Sequence, residues 1–233
     1  MPGSSHVIPK IELHGEDALL VRFGESIHAD LNARVHALTL RIESARPAWL
    51  RDIVPSYASL ALIVDLSAFP SPMDALGEAT TWLQKMLGGE DAVDRMAEGR
   101  LLEINVRYGG ENGPDLASLA EHSGLSIREV IQRHVAVEYH VAMIGFAPGF
   151  PYLLGLDPAL AMPRLQTPRT HVAAGSIGIG GAQTGIYPRS GPGGWRIIGR
   201  TAQVLFDPSR SPPSLLAPGD RVRFVVGGEV VQS

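Results

Sequence analysis

Arg164, Arg169 and Arg200 stand in or beside glycine-rich segments, where bare backbone N–H groups and guanidinium forks can together hold a carboxylate or a phosphate. Ser176, Gln183 and Thr184 add neutral donors and acceptors around them. His134 and Tyr139 precede the first of these segments and can place or move a proton, so they are the expected catalytic pair. None of these residues has the flanking pattern of an activated nucleophile. Ala174 occupies the first glycine position of a nucleophile elbow around Ser176. Gln183 stands where a dinucleotide fingerprint needs its last glycine, and Gly181 where a P-loop needs lysine. The expected chemistry is binding and electrostatic stabilisation of an anion, with Arg169 and Arg200 as the charges and part of the site supplied by a partner. His122, His134, His140 and His171 lack ligand spacing, so no metal is expected.

The stretch that positions these groups begins Gly-Phe-Ala-Pro-Gly-Phe-Pro-Tyr-Leu (residues 145–153) and runs through Ala-Gly-Ser-Ile-Gly-Ile-Gly-Gly-Ala-Gln-Thr-Gly-Ile-Tyr-Pro (residues 174–188) to Gly-Gly-Trp-Arg-Ile-Ile-Gly-Arg-Thr (residues 193–201). Glycine and proline at this density exclude long helices, leaving short strands joined by tight turns. Barrel corners that need positive φ explain most of these glycines, and close approach of backbone to an anion is compatible with the same loops. Phe146, Phe150, Tyr152 and Trp195 sit in these loops, where a small barrel has little interior to hide them. They are expected to form a partner-binding apolar surface.

Composition narrows the function classes. The 233 residues can bury a large core, and no apolar run is long enough to span a membrane. The start, Met-Pro-Gly-Ser-Ser-His, lacks the regions of a signal peptide, so a cytoplasmic protein is expected. With no cysteine, disulfides, thiolate metal sites and cysteine nucleophiles are excluded together. A net charge of −4 gives no push toward nucleic acid.

In chain order, residues 10–13 and 18–23 read as a hairpin around Gly15-Glu-Asp. A helix follows with Asp30 as N-cap and Leu31, Val35, Leu38 and Ile42 as one buried stripe. Pro55 interrupts, and residues 60–65 read as a strand covered on both faces. A second helix is expected from a Ser71 cap, burying Leu76, Leu83 and Leu87 before Gly88. Strands with two interleaved helices imply a ferredoxin-like α/β sandwich. The charged, glycine-containing residues 88–99 hold the boundary, giving domains of residues 1–90 and 91–233.

The second domain opens on an alternating strand, residues 100–108. Residues 115–134 read as helix, glycine turn, helix, with Ser126 and Glu129 in capping-box spacing. A DNA-binding helix-turn-helix has the same outline, but Glu129 and the acidic chain favour two helices packed on a barrel. Val137, Tyr139, Val141 and Met143 alternate with polar residues into Gly145, and a last strand with Val222, Phe224 and Val226 on one face should close the barrel.

The motifs at residues 145–153, Pro168-Arg169, residues 174–179, 183–188 and 193–201 resemble those of the KipI/PxpB family. It is also known as allophanate hydrolase subunit 1, or the first half of the urea carboxylase carboxyltransferase domain. The likeness covers nearly the whole chain, including Asp115-Leu116, His134 and Tyr139. It departs at Val172-Ala173-Ala174, where Val-Pro-Ala is expected. The resemblance implies an α+β protein, a ferredoxin-like sandwich followed by a cyclophilin-like β-barrel, that forms half of a functional unit. It implies the B-type subunit of a 5-oxoprolinase, which with A-type and C-type (PxpC-like) subunits opens 5-oxoproline to glutamate using ATP with Mg. The alternatives it implies are an inhibitor docked on a sensor histidine kinase, or an allophanate hydrolase or urea carboxylase part.

Overall fold

The computed structural model describes residues 9–88 and 99–227, and the chain divides into two compact units at Glu98/Gly99. The charged stretch expected to hold the boundary lies, from residue 89 to 98, outside the described residues.

In the first unit, β1 (Lys10–His14) and β2 (Ala18–Arg22) form the expected hairpin, paired from Lys10↔Arg22 to His14↔Ala18. Helix α1 (Ala29–Ala45) buries Val35, Leu38 and Ile42 as its 3.6-residue spacing requires. Its cap is His28 and not Asp30: the His28 Nδ1 accepts from the Asp30 backbone N–H at 3.3 Å. Strand β3 (Leu50–Pro55) was not legible in the sequence. Pro55 ends an edge strand, where a missing N–H leaves no ladder bond unmade. Strand β4 (Ser59–Val64) buries Leu60, Leu62 and Val64 and leaves the alternate residues partly open, so one face is covered and not two. Helix α2 (Ala75–Gly88) starts after a turn closed by Asp74 N–H to Ser71 C=O, four residues beyond the expected cap. It buries Ala75, Ala79 and Leu83, with Leu76 and Leu87 at the margin. The antiparallel order β1-β2-β4-β3 is that of a split β-α-β sandwich, with β1 at the edge beside β2.

The second unit is a closed barrel, in order β10-β7-β6-β13-β5-β12-β9. Its strands are β5 (Leu101–Tyr108), β6 (Glu138–Ile144), β7 (Pro151–Leu154), β9 (Ser176–Ile179), β10 (Thr184–Ile186), β12 (Arg196–Arg200) and β13 (Arg221–Val226). A separate ribbon pairs β8 (Arg169–Val172) with β11 (Gly191–Gly193). Alternation puts Ile104, Val106 and Tyr108 inside with Ile177, Ile179, Ile186, Val222 and Phe224. A bulge between Val141 and Met143 shifts the phase of β6, so Ala142 is buried and Met143, expected inside, is only half-buried. Val226, expected with Val222 and Phe224, is 39% exposed at the strand end.

Helices α3 (Leu116–Ser123) and α4 (Ile127–Val135) meet at Gly124, a left-handed C-cap, and α4 opens with the Ser126/Glu129 capping box. Leu116, Leu119, Val130 and Ile131 join the barrel core, which is why this pair packs and does not project. Among the described residues no helix is long and apolar enough to cross a membrane.

Candidate functional site

The two residues expected to be catalytic lie inside the barrel. Tyr139 on β6 and His134 at the end of α4 are fully buried. The Tyr139 hydroxyl donates to the His134 backbone carbonyl at 2.8 Å. The imidazole stacks on Phe224 with centroids 4.7 Å apart, its Nδ1 lies 2.8 Å from the Tyr108 hydroxyl and its Nε2 3.4 Å from the Thr184 hydroxyl. Thr184 in turn donates to the Gly178 carbonyl at 3.0 Å. One donor sequence satisfies the chain: Tyr108 O–H to Nδ1, Nε2–H to Thr184, Thr184 O–H to Gly178. That fixes a neutral imidazole. Burial drives the His134 pKa down to about 3 and raises the Tyr108 and Tyr139 phenols well above their usual value. The arrangement is a buried, hydrogen-bonded core network, and Thr184 belongs to it.

The two expected anion-binding arginines part company. Arg169 makes a bidentate ion pair with Asp115, both bonds 2.8 Å, which holds its guanidinium charge more firmly than usual. Asp115 is buried and also accepts the Ile197 backbone N–H at 2.6 Å. Arg169 therefore pins the β8–β11 ribbon to the barrel, and its removal leaves a buried carboxylate without its countercharge at a cost of about 3–5 kcal/mol. Arg200 is exposed on the outer wall, its Nε donating to the Ala174 carbonyl at 2.8 Å. Ser176 is buried as the strand partner of Arg200. Gln183 is buried, and its Nε2 has no hydrogen-bond partner among the described residues, which leaves a donor unmet at a cost of about 1–3 kcal/mol.

The aromatic residues do come together, on the outside of β7, β9 and β10. Phe150, Tyr187, Trp195, Val172 and Ile197 form a cluster of their own, with Tyr152 and Ala147 against it. Glycines make the room: a Cβ on Gly180 would lie 2.5 Å from the Trp195 ring, one on Gly178 3.0 Å from the Trp195 Cβ, and one on Gly185 3.0 Å from Phe150. Rings thus lie on bare backbone, a packing role where the sequence suggested corner turns. Phe150 stands edge-on to Tyr187 and Trp195 at 5.2 and 5.5 Å, and the Arg164 guanidinium covers Trp195 at 5.5 Å. Of the four residues expected at a partner surface, Phe150 and Trp195 are buried, Tyr152 is half-buried and Phe146 is 66% exposed.

Loop chemistry explains how Phe146 is presented. Ala-Pro-Gly-Phe (residues 147–150) is a turn closed by Phe150 N–H to Ala147 C=O at 3.0 Å, with proline second and Gly149 third at φ +79°. Before it, Ala147 N–H reaches the Gly145 carbonyl at 2.7 Å, which forces Phe146 to φ +63°. Phe146 is the one non-glycine described residue with positive φ, and it carries an exposed ring. Backbone strain and exposed apolar area thus coincide at one residue.

Two partners of the expected site residues were not named as such from the sequence, although Asp115 lay within the family likeness. Tyr108 was legible in principle, since it shares the parity of Ile104 and Val106 on β5. The pairing of Asp115 with Arg169, fifty-four residues apart, has no local signature.

Residues 9–216 match the family model described as carboxyltransferase domain, subdomain C and D. The chain is 42% identical over 220 residues to the B-type subunit of 5-oxoprolinase from Bacillus subtilis (strain 168), spanning 93% of this chain and 92% of that one. It superposes on the crystal structure of TTHA0988 with a TM-score of 0.78 and 37% identity, covering 91% of this chain and 40% of the other. Against that protein it is thus a part, about two-fifths of the length. The Kluyveromyces lactis urea amidolyase structure, 20% identical with a TM-score of 0.72 over 97% of this chain and 15% of its own, shares the fold. By its matched length, and by the barrel and sandwich that carry it, the chain belongs to the carboxyltransferase subdomain C and D family.

Proposed function

We propose that this chain is the B-type subunit of an ATP-dependent 5-oxoprolinase, which acts with A-type and C-type subunits to hydrolyse 5-oxoproline to glutamate. The observation that carries the reading is the end-to-end likeness to the B-type subunit of the Bacillus subtilis 5-oxoprolinase. Geometry supports a shared site: the two groups able to move a proton are sealed in the core, Arg169 is committed to Asp115, and the exposed Phe146 rim awaits a partner. A lactam carbonyl is a poor electrophile. ATP, as its Mg complex, supplies a phosphoryl group to the lactam oxygen with release of ADP. One water then adds to that carbon and the ring C–N bond breaks, its nitrogen taking the proton, to leave an acyl phosphate; a second water hydrolyses this to glutamate and inorganic phosphate.

The test is reconstitution with A-type and C-type subunits, following glutamate and ADP together. Glutamate release that requires all three chains and ATP is expected. Full activity of the A-type and C-type pair without this chain, or none with all three assembled, would overturn the reading.

A further inference from the structure

On the outer wall of the barrel the antiparallel pair of β5 and β12 sets Arg107 directly opposite Arg200. Val106 and Tyr108 on either side of Arg107 point into the core, so Arg107 points out, and Arg200 is exposed beside it. Like charges facing each other across a strand pair repel. Several other arginines of this unit are ion-paired: Arg100 with Asp220, Arg169 with Asp115, Arg223 with Glu138. Arg107 and Arg200 have no carboxylate partner among the described residues. The two line an open cleft of about 560 Å³ with Asn105, Asn112, Thr201 and Gln203 and no described acidic residue. The bond from the Arg200 Nε to Ala174 fixes that guanidinium and leaves its two terminal nitrogens without a protein acceptor among the described residues.

We propose that this cleft binds the phosphate group of a small molecule, clamped between Arg107 and Arg200. Two guanidinium forks from adjacent strands reach a tetrahedral oxyanion from two sides, and the amides and hydroxyl supply further neutral donors. The repulsion between the forks is relieved when the anion arrives, so binding and stability are coupled. Arg169 takes no part. The proposal does not depend on which reaction the assembled unit performs, and its test needs this chain alone.

Calorimetric titration of the full chain with inorganic phosphate, ATP and L-glutamate separates the sources. One-to-one binding of phosphate or ATP is expected, weakened about tenfold or more in Arg107→Gln and in Arg200→Gln and unchanged in Arg51→Gln. Both Gln variants should melt no lower than the parent without ligand, which keeps misfolding out of the comparison. Arg200→Lys, which keeps charge but loses the fork, should recover binding only in part. Equal heats with all three anions, or binding of glutamate alone, would overturn the proposal. So would binding that shows only after residues 228–233 are removed, since the chain's own carboxylates would then be the occupant.

Discussion

His134 shows how burial decides what a histidine can do. Burial between Tyr108, Thr184 and Phe224 strips a charged imidazole of its hydration, so the folded state holds it neutral down to about pH 3, against 6.5 when free. The unfolded chain therefore binds a proton that the folded chain refuses between those values. The stability that this neutrality contributes is intact above pH 6.5 and falls as pH drops toward 3. Near pH 4 the loss should reach about 3 kcal/mol. Urea unfolding of the parent and of His134→Leu from pH 4 to 7 reads this directly: the parent's acid slope should be steeper by up to about 1.4 kcal/mol per pH unit. Parallel slopes would show that His134 does not titrate.

Among the elements, the loop before β7 has the clearest task. Replacing Phe146 by glycine suits the positive φ of the turn and removes the exposed ring together with its edge contact to Phe150. The isolated chain should keep its stability to within about 1 kcal/mol. Assembly with a C-type subunit, measured by sedimentation or surface binding, should weaken by about 2 kcal/mol, roughly 30-fold. Unchanged assembly would place the contact surface elsewhere. Element identity was legible wherever one local rule acted alone: alternation in β5, the stripe Val35-Leu38-Ile42 in α1, the capping box of α4. It failed where tertiary context entered. Strand β3 is polar on its open face and exists because β4 offers an edge, and the β6 bulge moved Met143 out of the phase its neighbours set. Site residues were legible as types but not as partners, since Arg169 alone cannot reveal that Asp115 claims it.

At the scale of the whole molecule, each of the two units has a hydrophobic core of its own, one around Leu19, Leu60 and Leu83, the other around Tyr108, Tyr139 and Phe224. The second unit depends on its final strand. Val222 and Phe224 of β13 fill the barrel interior, while β13 pairs in parallel with β5 and antiparallel with β6. Deleting residues 221–227 should expose both neighbours as edges and remove the barrel's amide protection in hydrogen exchange, leaving that of the first unit. Retained protection in β5 and β6 would refute this.

That placement has a consequence for the order in which the molecule can be made. Of the seven barrel strands, the last in the chain is wedged between the first two, so a nascent chain that already holds β5 through β12 still has a one-strand gap in its wall. The first unit can close while the ribosome is still working; the barrel must wait, its β5 and β6 edges bare, for some eighty residues of translation after β6. Slowing translation should prolong that open interval and raise the demand on chaperones, and the load should fall on the second unit alone.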